Sequence, residues 1–252
     1  MSFEVAAEAY DRYMGKYSRQ LSPQLADLAG VRAGQRVLDV GCGPGALSGE
    51  LVARLGASAV SAVDPSESFV AAALERNPGI EVLRASAEDL PFPSLIFDAT
   101  IAQLVVHFMT DPDKGLKEMA RVTRRNGVVA VCVWDHAGDQ GPLSLFWRAA
   151  RALHPGVNDE SKLPGVREGH LAELFEAAGL RKIEATVLWA SVEHATFDDW
   201  WRPFTAGVGP AGAYLANLDE DWRAELREAC RRLIPGPPFV VSARAWAARG
   251  LA

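Results

Sequence analysis

The chain is poor in cysteine, in long apolar runs and in clustered positive charge. Its three cysteines, Cys42, Cys132 and Cys230, are far apart in 252 residues. An odd, scattered set with no C-x-x-C and no His/Cys cluster supports neither a disulfide framework nor a zinc site. No metal ligand set is therefore expected, and a reducing, cytoplasmic location fits. Lysine and arginine total 26 against 32 acids, a net charge of −6, and no long basic run occurs. Proteins that hold phosphate backbones carry a basic face, so no nucleic-acid partner is expected. The longest apolar runs, such as 128–134, are far shorter than the roughly 20 residues that cross a bilayer, and no membrane partner is expected. The opening MSFEVAAEAYDRY carries acids and no apolar leader-like core. Tryptophan is missing from the first 133 residues, and all seven copies fall at or after Trp134.

Apolar residues make up 49% and charged residues 23%, the balance of a globular chain with a sizeable core. From Arg36 to Trp134 short apolar runs alternate with helical stretches. Strands are predicted at 36–40, 59–63, 81–84, 97–104 and 128–134. Helices are predicted at 46–55, 66–76 and 111–122. Such alternation argues for an α/β fold, with a parallel sheet covered by helices on both faces. Later come helical pieces at 143–153, 167–178 and 219–233, and strands at 183–189 and 239–247. One domain spanning 1–252 accounts for this best. It has a helical cap over 1–30, a ligand-binding half over 31–135 and a second half over 136–252 with insertions near 136–165 and 196–235.

The first strand runs into Asp39-Val-Gly-Cys-Gly-Pro-Gly45. Closely spaced glycines between a strand and a helix let backbone approach a ligand, and helix N-terminal N–H groups can meet its polar end. Gly41, Gly43 and Ala46 also satisfy a loose G-x-G-x-x-A, the dinucleotide pattern. Asp64 ends the second strand at the distance where an acid takes ribose hydroxyls, two acceptor oxygens matching two donors. The pair supports a nucleoside ligand without naming it.

At this point the sequence resembles the class I S-adenosylmethionine-dependent methyltransferases, in particular the ubiquinone and menaquinone biosynthesis group. VLDVGCGPGALS looks like the first motif of that family. AVDPS, SAEDLPF, the stretch FDATIAQLVVHFMTDPDKGLKEMARVTRRNGVVAV and the leading YDRYMGKYSR continue the likeness in register over roughly residues 10–135. The resemblance implies a Rossmann-like fold with a seven-stranded, mostly parallel sheet and S-adenosylmethionine as cofactor; a small-molecule acceptor is expected from the lack of a basic run and of a membrane segment. Gly41, Cys42, Gly43 and Gly45 would then follow the methionine part, and Asp64, Pro65 and Ser66 the ribose and adenosine. Ser86, Ala87 and Glu88 would lie along the adenine edge. Gln103 and Leu104 would face the cofactor from the fourth strand. Tyr17, and with it Tyr13, could close over the methionine carboxylate, or the tyrosines at 10, 13 and 17 could simply pack a helix face. Two positions depart from the family pattern. Ser86 stands where relatives carry Asp, and Arg125-Asn126-Gly127 stands where they carry Pro-Gly-Gly.

The acceptor expected is an oxygen or carbon nucleophile. The Asn/Asp-Pro-Pro-aromatic run of base-amine methylating enzymes is absent, since that place reads Ala102-Gln-Leu-Val-Val106. Asp111 and Asp113 are read as helix-capping residues. His107, just past the fourth strand, is the candidate general base, because imidazole titrates near neutrality. It could equally shape the pocket. His136 is a weaker candidate. Most tryptophans are expected to pack the insertions. Trp147, Trp200 and Trp201 are candidates to face substrate, and an apolar patch could serve a homodimer. Two other readings stay open: an NAD-dependent oxidoreductase, and a non-catalytic S-adenosylmethionine-binding protein of the same fold.

Overall fold

Residues 7–252 are described by a computed structural model of the chain. The first six residues of the expected 1–30 cap lie outside the described residues.

The apolar runs become strands, and the amphipathic stretches the helices between them. In chain order the elements are α1 (Ala7–Tyr10), a π-helical turn (Asp11–Gly15), α2 (Lys16–Leu28), β1 (Val37–Val40), α3 (Ala46–Leu55), β2 (Val60–Asp64), α4 (Glu67–Arg76), β3 (Glu81–Arg84), β4 (Phe97–Gln103), α5 (Pro112–Val122) and β5 (Thr123–Trp134). They continue with α6 (Ser144–Leu153), α7 (His170–Ala177), β6 (Arg181–His194), α8 (Phe197–Trp201), α9 (Gly209–Ala216), α10 (Glu220–Leu233) and β7 (Phe239–Leu251). The seven strands form one sheet in the order β3-β2-β1-β4-β5-β7-β6. β1 pairs in parallel with β2 and β4, and β4 with β5, whereas β7 runs antiparallel to both β5 and β6. Strands buried on both faces read as continuous apolar runs, and β1 and β2 are buried at every residue.

The pleat sorts β5 between two cores. Val129, Val131 and Val133 join Leu116, Met119 and Phe175 on one face, while Ala130, Cys132 and Trp134 join Leu21, Leu25 and Phe146 on the other. Each fully buried Leu, Val, Ile or Phe contributes about 1.5–3 kcal/mol. β5 begins earlier than the apolar run suggests. Arg124 pairs with Asp98 at 2.6 Å and Asn126 takes φ +64°, so Asn126-Gly127 form a local irregularity within an extended strand. β6 and β7 are likewise longer than their apolar cores.

The outer edge of β6 is covered by two glutamines one turn apart on α2. Gln20 donates to the Ser191 carbonyl at 2.9 Å and accepts from its N–H at 3.0 Å. Gln24 does the same for Trp189, at 2.8 and 3.3 Å. Each side-chain amide thus imitates a strand residue and hides an edge that would otherwise invite pairing. The chain passes from β3 back across to β4, so the order reverses beside β1. In open α/β sheets, the crevice at the carboxyl ends beside such a reversal holds the ligand.

Candidate active site

Four connections meet at that crevice. The Gly41–Gly45 loop leaves β1, Asp64 closes β2, 85–92 follows β3, and Gln103 to Met109 follow β4. Among the described residues they line a cavity of about 1110 Å³, at the upper end of typical small-molecule sites.

The loop's glycines differ in what they do. A Cβ on Gly41 would lie 2.5 Å from Val105 Cγ2, so this residue lets the loop touch the segment after β4. Gly43, at φ +53°, would meet nothing within 4 Å; it lines the cavity, and its missing side chain leaves space for a ligand. Asp64 fixes the loop. Its carboxylate accepts the Gly43 N–H at 2.9 Å through one oxygen and the Ser66 N–H at 2.9 Å through the other. Each oxygen keeps a lone pair for the cavity. Burial raises the Asp64 pKa, and these two bonds counter part of the rise.

Asp39 is the residue that motif spacing did not single out. It sits inside β1 and is 1% exposed. Ser48 donates to its Oδ2 at 2.6 Å, while Oδ1 has no hydrogen-bond partner. Burial pushes its pKa up to about 7, opposed by the Ser48 bond and aided by the charge of Asp64. The signal was visible as an acid in the otherwise apolar run Val37-Leu-Asp-Val40. Gln103 adds another unpaired acceptor. Its Nε2 donates to the Ser18 carbonyl at 3.1 Å, which leaves Oε1 buried without a donor, on a residue that lines the cavity. Leu104 follows in a left-handed backbone (φ +63°), a strained conformation of the kind that collects at functional sites.

The remaining expected residues divide. Pro65, Ser66, Ser86, Ala87, Glu88, Leu104 and His107 all line the cavity. Glu88 also accepts the Thr110 N–H at 2.8 Å, which ties the segment after β3 to the one after β4. Asp111 caps α5 through the Lys114 N–H. Cys42 is buried beneath the loop rather than in the cavity wall, and Gly45 borders a separate cleft with Pro44 and Arg76. Tyr17 does not reach the cavity. Its hydroxyl lies 3.5 Å from His194 Nε2, and its ring stands edge-on to Trp134. The cavity-lining tyrosine is Tyr10, packed on Phe69. Trp147, Trp200 and Trp201 are buried in a cluster with Phe146, Phe197 and Phe204 and line no part of the cavity. The expectation that they face substrate is corrected to packing, because the insertions need an apolar core of their own.

The cavity's polar inventory describes its ligand. Asp64 and Gln103 line the cavity, the unpaired Gln103 Oε1 is an acceptor, and Asp39 lies buried in β1 before the loop. A ligand with ribose hydroxyls, an ammonium and a sulfonium supplies donors and positive charge to these acceptors. S-adenosylmethionine fits on this ground.

Comparison with known proteins agrees. A family model described as "Methyltransferase domain" matches residues 38–131. The chain is 35% identical over 230 residues to a demethylmenaquinone methyltransferase of Clavibacter sepedonicus, covering 85% of this chain and 91% of that one. It is 37% identical over 147 residues to a phosphatidylethanolamine N-methyltransferase of Cereibacter sphaeroides, covering 56% of this chain and 70% of the relative. A solved Haemonchus contortus phosphoethanolamine N-methyltransferase 2, in complex with phosphomonomethylethanolamine and S-adenosylhomocysteine, superposes with a TM-score of 0.60 at 17% identity, over 97% of this chain and 56% of that one. The chain thus belongs to the class I S-adenosylmethionine-dependent methyltransferases, and it is an enzyme that transfers a methyl group from S-adenosylmethionine to a small-molecule acceptor.

Proposed function

We propose that the acceptor is a hydroxylated, largely apolar ring, methylated at oxygen or at a ring carbon activated by that oxygen. The observation that carries this reading is the composition of one continuous cavity. Its lining combines a polar set, Gly41, Gly43, Asp64 and Ser66, with an apolar set, Leu104, Val105, Phe108, Met109, Leu163 and Pro164, and with His107. The polar set suits a nucleoside and the apolar set an acceptor ring. Relatives named for demethylmenaquinone and for 2-methyl-6-phytyl-1,4-hydroquinone lend support.

In this reading Asp64 takes the ribose hydroxyls, with Pro65 and Ser66 beside it, and Ser86, Ala87 and Glu88 lie along the base. Gln103 and Leu104 form the wall beside the methionine part. When bound, the cofactor supplies an electrophilic methyl group on a sulfonium. The protein's task is then chiefly to position the acceptor and exclude water, which can supply several kcal/mol (about 7 or more) of the barrier reduction. His107 is 3% exposed, and burial, with the neighbouring His136, holds its pKa well below 6.5. An imidazole so depressed is a weak proton acceptor. It can orient an acceptor hydroxyl more readily than deprotonate it.

The cavity wall carries Arg84, but that guanidinium is already turned to the Pro65 carbonyl and Glu67, which argues against a phosphate-rich substrate such as nucleic acid. Cys42, Cys132 and Cys230 are buried free thiols, consistent with a reducing cytoplasm. Among the described residues no helix is long and apolar enough to cross a membrane. Val187, Trp189 and Val240 expose apolar surface on β6 and β7, where we would place a homodimer contact.

The test is a methyl-transfer screen with isotope-labelled S-adenosylmethionine against metabolite pools, read by mass spectrometry, alongside titration with S-adenosylhomocysteine and NADH. Label on a hydroxyaromatic compound, with the first ligand binding and the second not, is the expected result. Label on an amine nitrogen would overturn the acceptor class.

A further inference from the structure

We propose that His107, His136 and Glu160 form a mononuclear site for a divalent transition-metal ion, of the two-histidine, one-carboxylate kind, bordering the cavity through His107. The three come from separate segments. His107 lies in the short turn after β4, His136 two residues past β5, and Glu160 opens a turn after α6. One ligand atom from each lies within 4.8 Å of the others. Sequence spacing could not show this set, because its members meet only through the fold.

The polar atoms are unaccounted for by the protein. His107 Nδ1 and His136 Nε2 are both buried with no hydrogen-bond partner, and Tyr13 Oη, on which the Glu160 charge bears, is a third such atom. The side chains of His136 and Glu160 are each 3% exposed. Buried polar groups are overwhelmingly paired, and each exception calls for a cause. His136 Nε2 stands 3.8 Å from Glu160 Oε1, beyond hydrogen-bond distance. Two imidazoles and one carboxyl group are a transition-metal donor set, shared by open zinc sites and non-haem iron sites.

The surroundings hold the donors in place. Glu160 Oε2 accepts the Trp147 indole N–H at 2.8 Å. The residue before Glu160, Asp159, is paired with Arg151, which also binds Asp139 at 2.6 Å. The residue before His136, Asp135, accepts from Arg244 Nε at 2.9 Å. Outer partners of this type orient metal ligands. Metal–nitrogen bonds of about 2.0–2.1 Å at tetrahedral angles put donor atoms roughly 3.4 Å apart. The triangle must therefore contract by about an ångström or more along its longest edge, within reach of small side-chain rotations. Three protein ligands leave at least one position open, and His107 is the ligand that borders the cavity.

A hydroxyl coordinated there is acidified and releases its proton to solvent water. That consequence rests on the acceptor reading above; the metal site itself does not.

The full-length protein should be dialysed against Zn²⁺ or Co²⁺, passed through a desalting column and analysed for bound metal and for Co²⁺ visible absorption. About one ion per chain is expected, with affinity at least 100-fold weaker in His136→Ala and Glu160→Gln, and about 10–100-fold weaker in Trp147→Phe. S-adenosylhomocysteine titration of the same samples reports folding and cofactor binding separately, so a failed metal site is not mistaken for a failed methyltransferase reading. Wild-type protein that binds S-adenosylhomocysteine but retains no more metal than His136→Ala would overturn the proposal. So would metal retention unchanged in folded Glu160→Gln.

Discussion

Asp64 carries two kinds of bond, and a single substitution confounds them. Asp64→Ala removes whatever the carboxylate gives the ribose, but it also frees the Gly43 and Ser66 N–H groups that it accepts at 2.9 Å each. Hydrogen bonds to a charged group count about 1.5–3 kcal/mol. Freeing two backbone donors would cost about 3–6 kcal/mol on that scale, less what is regained by no longer burying the carboxylate, so unfolding stability should fall by an amount measurable in urea titration. Loss of the ribose contact should weaken S-adenosylhomocysteine binding by about 2 kcal/mol, close to 30-fold in Kd. To separate the effects, both proteins are titrated with S-adenosylhomocysteine and with its 2′-deoxy analogue. A loop that has merely slackened weakens both ligands alike. A lost ribose contact erases the penalty for the missing hydroxyl, about tenfold in wild type and under twofold in the variant. The difference is a coupling between one side chain and one hydroxyl. If the deoxy penalty is the same in both proteins, Asp64 does not hold the ribose, however much the overall affinity falls.

Asp39 predicts an unusual pH profile. Its folded pKa, raised from 3.8 to about 7, means that the folded state holds the proton more tightly than the unfolded chain. The stabilisation is full below the unfolded value and is lost as pH rises through about 7. The shift corresponds to roughly 4 kcal/mol at about 1.4 kcal/mol per unit. Ligand-free Asp39→Asn should be more stable than wild type at pH 8 in chemical denaturation, yet bind S-adenosylhomocysteine more weakly; a lower stability at pH 8 contradicts the burial argument. The loop glycines should separate folding from binding. Gly41→Ala drives a Cβ to 2.5 Å from Val105 and should disturb the loop itself, seen as a lower melting temperature. Gly43→Ala meets no atom, so it should cost only about 1–2 kcal/mol of left-handed strain while weakening cofactor binding by calorimetry. Equal melting losses with unchanged binding would remove Gly43 from the site.

The readable parts of this protein are those in which ligand chemistry and local chain geometry coincide. The Gly41–Gly45 loop and Asp64 lie on consecutive strand ends, so spacing alone brings them together. The same holds for Ser86 to Glu88 and for His107, each just past a strand. Tyr17 shows where spacing stops being informative. Tyr10, Tyr13 and Tyr17 would share one face of a regular α-helix, but the π-helical turn over Asp11–Gly15 has wider i→i+5 winding, and the three rings diverge. Tyr10 reaches the cavity and Phe69, Tyr13 stands against Phe204, and Tyr17 turns to Trp134 and His194.

The second half is harder to read for a related reason. Its aromatics obey the burial rule, and burial gives no direction: the same composition serves a lid, a pocket or a self-contained core. Here Phe146 stacks on Phe204 at 4.8 Å, and Trp147 turns its indole N–H inward to Glu160. That contact gives the insertion a bearing on chemistry that its tryptophans do not have as pocket walls. Through Trp147, whose indole N–H holds Glu160, the insertion brings a carboxyl group to the two histidines beyond β4 and β5. Substitutions in the cluster should therefore disturb the grouping of His107, His136 and Glu160 before they disturb the cofactor loop.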